Sequence, residues 1–70
     1  MDSPQFREKV GKRIKKFREK AKLTQEQVAQ KAGLNTNYFA VIERGEVNTG
    51  TSNLLKISKA LSIEITELIK

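Results

Sequence analysis

Apolar residues recur along this chain at steps of three and four. Phe6, Val10, Ile14, Phe17 and Ala21 form the first such row, with Lys and Arg filling most of the positions between. That repeat gathers apolar side chains on one face of a helix. Ser3 is placed to cap it, and Pro4 suits a first helical turn, where a missing N–H costs nothing. The pattern predicts a helix over about 4–21. Thr24-Gln25-Glu26-Gln27 is a capping box, Val28, Ala29 and Ala32 give a short apolar stripe, and Gly33 can adopt the positive φ that stops a helix. A second helix is expected over about 25–32. Asn35 is a good N-cap, Tyr38, Phe39 and Ile42 keep the period, and Gly45 ends a third helix over about 36–44. After the polar loop 46–50 (EVNTG), Thr51 is expected to cap a fourth helix. Its stripe is Leu54, Ile57 and Leu61, with Leu55 and Ala60 beside it and Lys56, Ser58 and Lys59 on the polar side. A last turn covers Ile65 to Ile69. No stretch alternates as a strand does. The expectation is an all-α, compact five-helix fold, one domain over residues 1–70, with a helix-turn-helix unit at about 25–44.

Charge sharpens the picture. The 70 residues carry a net charge of +6. All of it lies in residues 1–22, where nine basic side chains face three acidic ones; the remainder is balanced. A one-sided basic segment on so small a domain suits a polyanion, and otherwise serves as a solvated helix face. The chain has no Cys and no His, so thiol chemistry, disulfides and the commonest metal ligand and general base are missing. Glu26, Glu43, Glu46, Glu64 and Glu67 show no paired spacing for acid–base work, and no Ser has a His to activate it. No catalytic residue, metal site or cofactor is expected. No apolar run approaches the roughly 20 residues that span a bilayer, and MDSPQFREKV lacks the apolar core of a signal peptide. A basic amphipathic first helix can also lie on a membrane surface, but its apolar face is needed to cover the other helices. A cytoplasmic binding module without a membrane partner is expected.

The stretch KLTQEQVAQKAGLNTNYFAVIERGEVNTGTSNLLKISKALSIEITELI resembles the helix-turn-helix domain of the lambda-repressor, Cro and XRE family. The features that carry it are Gln25 opening the second helix, Val28-Ala29, the turn at Gly33, Ile42-Glu43-Arg44-Gly45, and Leu54, Ile57, Ala60 and Leu61 with Glu67-Leu68-Ile69. Within the family, Asn37-Tyr38 with Glu43-Arg44-Gly45 and Asn48 is similar to controller proteins of restriction–modification systems. Lys22 and Ser62 stand where the family usually has glycine, so both are expected at positive φ.

The resemblance implies a protein that binds double-stranded DNA at specific sites and regulates transcription, as repressor or activator. The third helix would enter the major groove while the second crosses the backbone. Thr36, Asn37, Ala40 and Val41 would face bases, with Asn37 able to pair with adenine and the others to pack on thymine methyls. Gln25, Asn35, Arg44 and Asn48, with Thr49 beside it, would lie along phosphates. Each has a plainer reading: Gln25 as a helix former, Asn35 as a cap, Arg44 as a cation at a helix C-terminus. Tyr38 either reaches a phosphate or covers the core. Gln25 and Asn37 are both expected to be exposed and of little weight in folding. Arg18 and Glu43 would pair across the first and third helices, or else remain separate surface charges. Much of the first helix's charge would act at a distance. Ile63, Ile65 and Ile69 either form a homodimer interface, setting two recognition helices about 34 Å apart, or close the monomer's core. With no segment assigned to a sensor, no small-molecule effector is expected. The rival function is a protein-interaction module on the same fold, an antitoxin or a transcription bridging factor.

Overall fold

The computed structural model describes residues 3–70. Asp2, counted above in the basic segment, lies outside them. Five helices follow one another: α1 (Pro4–Lys20), α2 (Gln25–Ala32), α3 (Thr36–Glu43), α4 (Thr51–Ala60) and α5 (Thr66–Ile69). None of the described residues lies in a strand.

Local chemistry sets most of the boundaries. The Ser3 hydroxyl accepts from the Phe6 N–H at 3.0 Å, with Pro4 in the first turn of α1. At α2 the capping box closes in both directions. Thr24 Oγ1 accepts from the Gln27 N–H at 3.0 Å, and Gln27 Oε1 accepts from the Thr24 N–H at 2.8 Å. Asn35 Oδ1 accepts from the N–H groups of Asn37 and Tyr38. Lys22 and Ser62 sit at φ of 61° and 58°, left-handed positions where a side chain carries a steric cost. Thr51 does not cap α4. Gly50, extended and without a side chain, is the N-cap, and its carbonyl accepts the first helical bond, from Leu54. Thr51 is therefore the first residue inside the helix.

Packing then holds these short helices together. α1 lies against α3 and α5, while α2 lies against α3 and α4. The sealed interior draws on all five helices: Ile14, Val28, Phe39, Ile57 and Leu68 have no significant exposure. A four-residue helix such as α5 cannot hold itself in water. Burial of Leu68, worth about 1.5–3 kcal/mol, anchors it. Arg13 of α1 adds a hydrogen bond to the backbone oxygen of Lys70. Two expectations fail at the edges of the pattern. Ala21 is exposed, because α1 ends at Lys20 and the chain turns away from the core. Ser58 is buried, because its hydroxyl donates to the Leu55 carbonyl within the helix at 2.8 Å and so hides its polarity.

The crossing of α1 over the end of α3 fixes the unit that matters for function. It depends on two glycines. At Gly11 a Cβ would lie 2.8 Å from the Ile42 carbonyl oxygen and closer still to that of Glu43. At Gly45, φ 73°, a Cβ would lie 2.8 Å from the Cα of Glu8. The backbones thus approach nearer than side chains allow. Arg7 Nε adds a hydrogen bond to the Gly45 carbonyl at 3.3 Å.

Candidate nucleic-acid interface

α2 and α3 are joined by Gly33, Leu34 and Asn35. Gly33 at φ 71° ends α2, and Asn35 opens α3 two residues later. This abrupt change of direction is the helix-turn-helix geometry. Phe39 and Ile42 hold the inner face of α3 in the core, at 0% and 2% exposure. The outer face carries Asn37, which is exposed, with Thr36, Ala40 and Val41 half-buried around it. Asn37 is thus an amide on the second residue of a rigidly seated helix, among small apolar neighbours.

The end of α3 is tied to α1 and α2 through one carboxylate. Arg18 Nε donates to Glu43 Oε2 at 2.6 Å and Nη2 donates to Oε1 at 3.2 Å. Gln25 Nε2 also donates to Glu43 Oε1, at 3.0 Å, and Arg18 Nη1 donates to the Leu23 carbonyl at 2.9 Å. The Glu43 side chain is 3% exposed and that of Arg18 13%. Hydrogen bonding to Glu43 raises the Arg18 pKa further above its already high value, so the guanidinium stays charged. Three helices and the α1–α2 turn meet at this pair. Gln25 is consequently no free surface side chain, contrary to the sequence expectation. The residue is half-buried and its amide is directed to Glu43, although an –NH2 keeps a second hydrogen for an outside acceptor.

The remaining polar positions fall into two groups. Arg44 caps the C-terminus of α3 and is exposed. Its Nε donates to Glu46 Oε2 at 2.8 Å, which holds the Glu46 carboxyl below the usual carboxylate range. Tyr38, Thr49 and Asn53 form the second group. The Tyr38 hydroxyl is 3.0 Å from Thr49 Oγ1, and Asn53 Nδ2 donates to Thr49 Oγ1 at 3.0 Å and to the Tyr38 oxygen at 3.4 Å. This network ties the loop 46–50 to α3 and α4, with Asn48 exposed on it. Asn35 spends its Oδ1 on the α3 cap, leaving only its –NH2 to donate elsewhere. Gly11, buried against the end of α3, and Glu46 and Asn53 take part in this arrangement although the sequence does not single them out for it. A glycine inside a helical pattern was the only available hint.

Ile63, Ile65 and Ile69 are half-buried and pack against the core, while Leu55 on α4, 42% exposed, is the large apolar side chain left in solvent among the described residues. No group of three or more Asp and Glu side chains among the described residues could hold a metal ion. No helix among them is long and apolar enough to cross a membrane.

Known proteins share this arrangement. Residues 14–68 match the helix-turn-helix family. The chain is 43% identical over 60 residues to an immunity repressor protein of Bacillus phage phi105, covering 86% of this chain but 42% of that one. It is 41% identical over 61 residues to control protein C.MunI of Mycoplasma sp, covering 86% of this chain and 82% of that protein. The crystal structure of the restriction–modification controller protein C.AhdI from Aeromonas hydrophila superposes with a TM-score of 0.88 at 38% identity, covering 90% of this chain and 96% of that one. The chain belongs to the helix-turn-helix family, of the XRE type, and is a DNA-binding regulator of transcription.

Proposed function

We propose that the protein works as a homodimer in the cytoplasm, binding a two-fold related operator with α3 of each copy in the major groove. The observation that carries this reading is the seating of α3. Its inner face is locked by Phe39 and Ile42, its far end by Arg18 and Gln25 through Glu43, and its outer face presents Asn37 beside Thr36, Ala40 and Val41. A helix held along its inner face and at its far end keeps an amide steady against a base edge. Asn37 can bond both N7 and N6 of adenine, while Ala40, Val41 and the Thr36 methyl suit thymine methyls. The second hydrogen of the Gln25 amide, the Asn35 –NH2, Arg44, and Asn48 with Thr49 on the tied loop would lie along phosphates. Arg44 would exchange Glu46 for a phosphate, since a guanidinium grips either bidentately.

Dimerisation would use the half-buried Ile63, Ile65 and Ile69, with regulation set by protein concentration rather than by a small-molecule effector. The likeness to a controller protein at 38% identity over most of both chains supports a role of that kind.

Selection of bound sites from random duplexes tests the reading. A recovered consensus with two related half-sites about one helical turn apart is expected. Affinity for it should fall about a thousandfold or more between about 50 and 200 mM salt. No enrichment, or binding indifferent to salt, would favour a protein-interaction module instead.

A further inference from the structure

We propose that Lys12 and Lys15 of α1, together with Arg44, form an additional phosphate-binding cleft beside the recognition surface, taking backbone phosphates of duplex DNA next to the base pairs that α3 faces. The proposal rests on the DNA-binding reading above and extends it to a helix otherwise regarded as scaffold.

Three observations carry it. Lys12, Lys15 and Arg18 follow at steps of three on α1 and so share one side of it. Arg18 ends the row at Glu43, which fixes the direction of that side: toward the end of α3 and the start of α2. Next, Gly11 brings the α1 backbone against the carbonyls of Ile42 and Glu43, so Lys12 emerges directly beside the C-terminus of α3. Finally, an open cleft of about 580 Å³ lies there, with Lys12 and Lys15 contributed by α1, Gln25 by α2 and Arg44 by the end of α3.

Charge selects the occupant. Glu43 is matched by Arg18 and Glu46 by Arg44. Lys12 and Lys15 are exposed and make no ion pair with any described residue. The cleft therefore carries two uncompensated cations, and a phosphate displacing Glu46 from Arg44 would meet three. It is open to water, so a small anion would be held weakly; a polyanion already docked against Gln25 and Arg44 pays no second association cost. Lys, a flexible point charge, suits such a site better than base reading does.

Duplex binding by Lys12→Gln/Lys15→Gln, measured against salt, tests the site. The control is Lys9→Gln/Lys16→Gln, which removes the same charge from α1 at positions whose ammonium groups lie over the Phe6 and Phe17 rings. If both lysines touch phosphates, the slope of log affinity against log salt should shrink by about 1.8 per bound chain. The loss should be the same factor on the selected site and on random duplex, with the base preference and melting temperature unchanged. The control pair should alter the slope by less than half as much. Equal effects of the two pairs, or an unchanged slope for the first, would overturn the cleft while leaving the DNA-binding reading intact. A native chain that bound no duplex at all would overturn both.

Discussion

Replacing Glu43 by Ala should destabilise the fold more than any other single polar change. The carboxylate accepts three hydrogen bonds, two from Arg18 and one from Gln25. Its removal leaves the guanidinium, 13% exposed, with only the Leu23 carbonyl as a described partner. Breaking a buried pair from one side costs about 3–5 kcal/mol, and the residual exposure of Arg18 puts this case near 3 kcal/mol. A domain of this size has only about 4–10 kcal/mol in all. At about 4–8 °C per kcal/mol, the melting temperature should fall by about 12–24 °C. Thermal unfolding followed by far-UV circular dichroism reads this directly. The exposed Arg44–Glu46 pair supplies the comparison: Glu46→Ala should leave the melting temperature nearly unchanged. Arg18→Met with Glu43→Leu should recover much of the loss, because apolar side chains of similar volume replace a buried pair at little cost. If Glu43→Ala melted like Glu46→Ala, the pair would not hold the recognition helix in place.

Three further outcomes follow from the geometry. Gly11→Ala gains up to about 1 kcal/mol of helix propensity but drives a methyl into the Ile42 and Glu43 carbonyls, an overpacking cost of about 1–3 kcal/mol; a lower denaturation midpoint is expected, and a raised one would refute the close approach. Gln25→Ala should weaken the selected site and random DNA by similar factors and, unlike Asn37→Ala, should also lower the melting temperature, since it removes a hydrogen bond to Glu43. Glu46 titrates below the ordinary carboxylate range because Arg44 bonds its charged form, so that pair is intact above the ordinary value and lost only as pH falls through the lowered one. With no His in the chain, DNA affinity measured at constant salt should stay level between about pH 5.5 and 7; a marked change there would contradict this assignment of charges.

Much of the fold was legible because it is locally encoded. The Thr24–Gln27 box, Asn35, Gly33 and Gly45 each announce a helix end through a hydrogen bond or a φ angle confined to a few residues. The positive φ of Lys22 and Ser62 was legible only through the family resemblance, since neither residue type asks for it. Long-range relations left weaker traces. Gly11 reads along the chain as a flaw in a helix, and its value emerges only when α3 crosses it. The Gln25 amide turns inward because Glu43 lies 18 residues away in sequence and 3.0 Å away in space. Asn53 on α4 meets Tyr38 and Thr49 for the same kind of reason. Ser58 looks polar in a helical wheel, but its hydroxyl bonds within the helix.

Whether the outer face of α3 reads DNA bases is decided by Asn37→Ala. Asn37 is exposed and its side chain takes no part in the described hydrogen bonds, so the melting temperature should stay within the range of a surface change, about 0.5 kcal/mol. Binding curves for the native chain and the variant are compared on the selected site, on single-base variants of it and on random duplex. The variant should lose about 1–3 kcal/mol on the selected site, keep its affinity for random DNA, and tolerate substitution at one base pair per half-site that the native chain rejects. An equal loss on every duplex, or no loss on any, would mean that α3 does not read bases at Asn37.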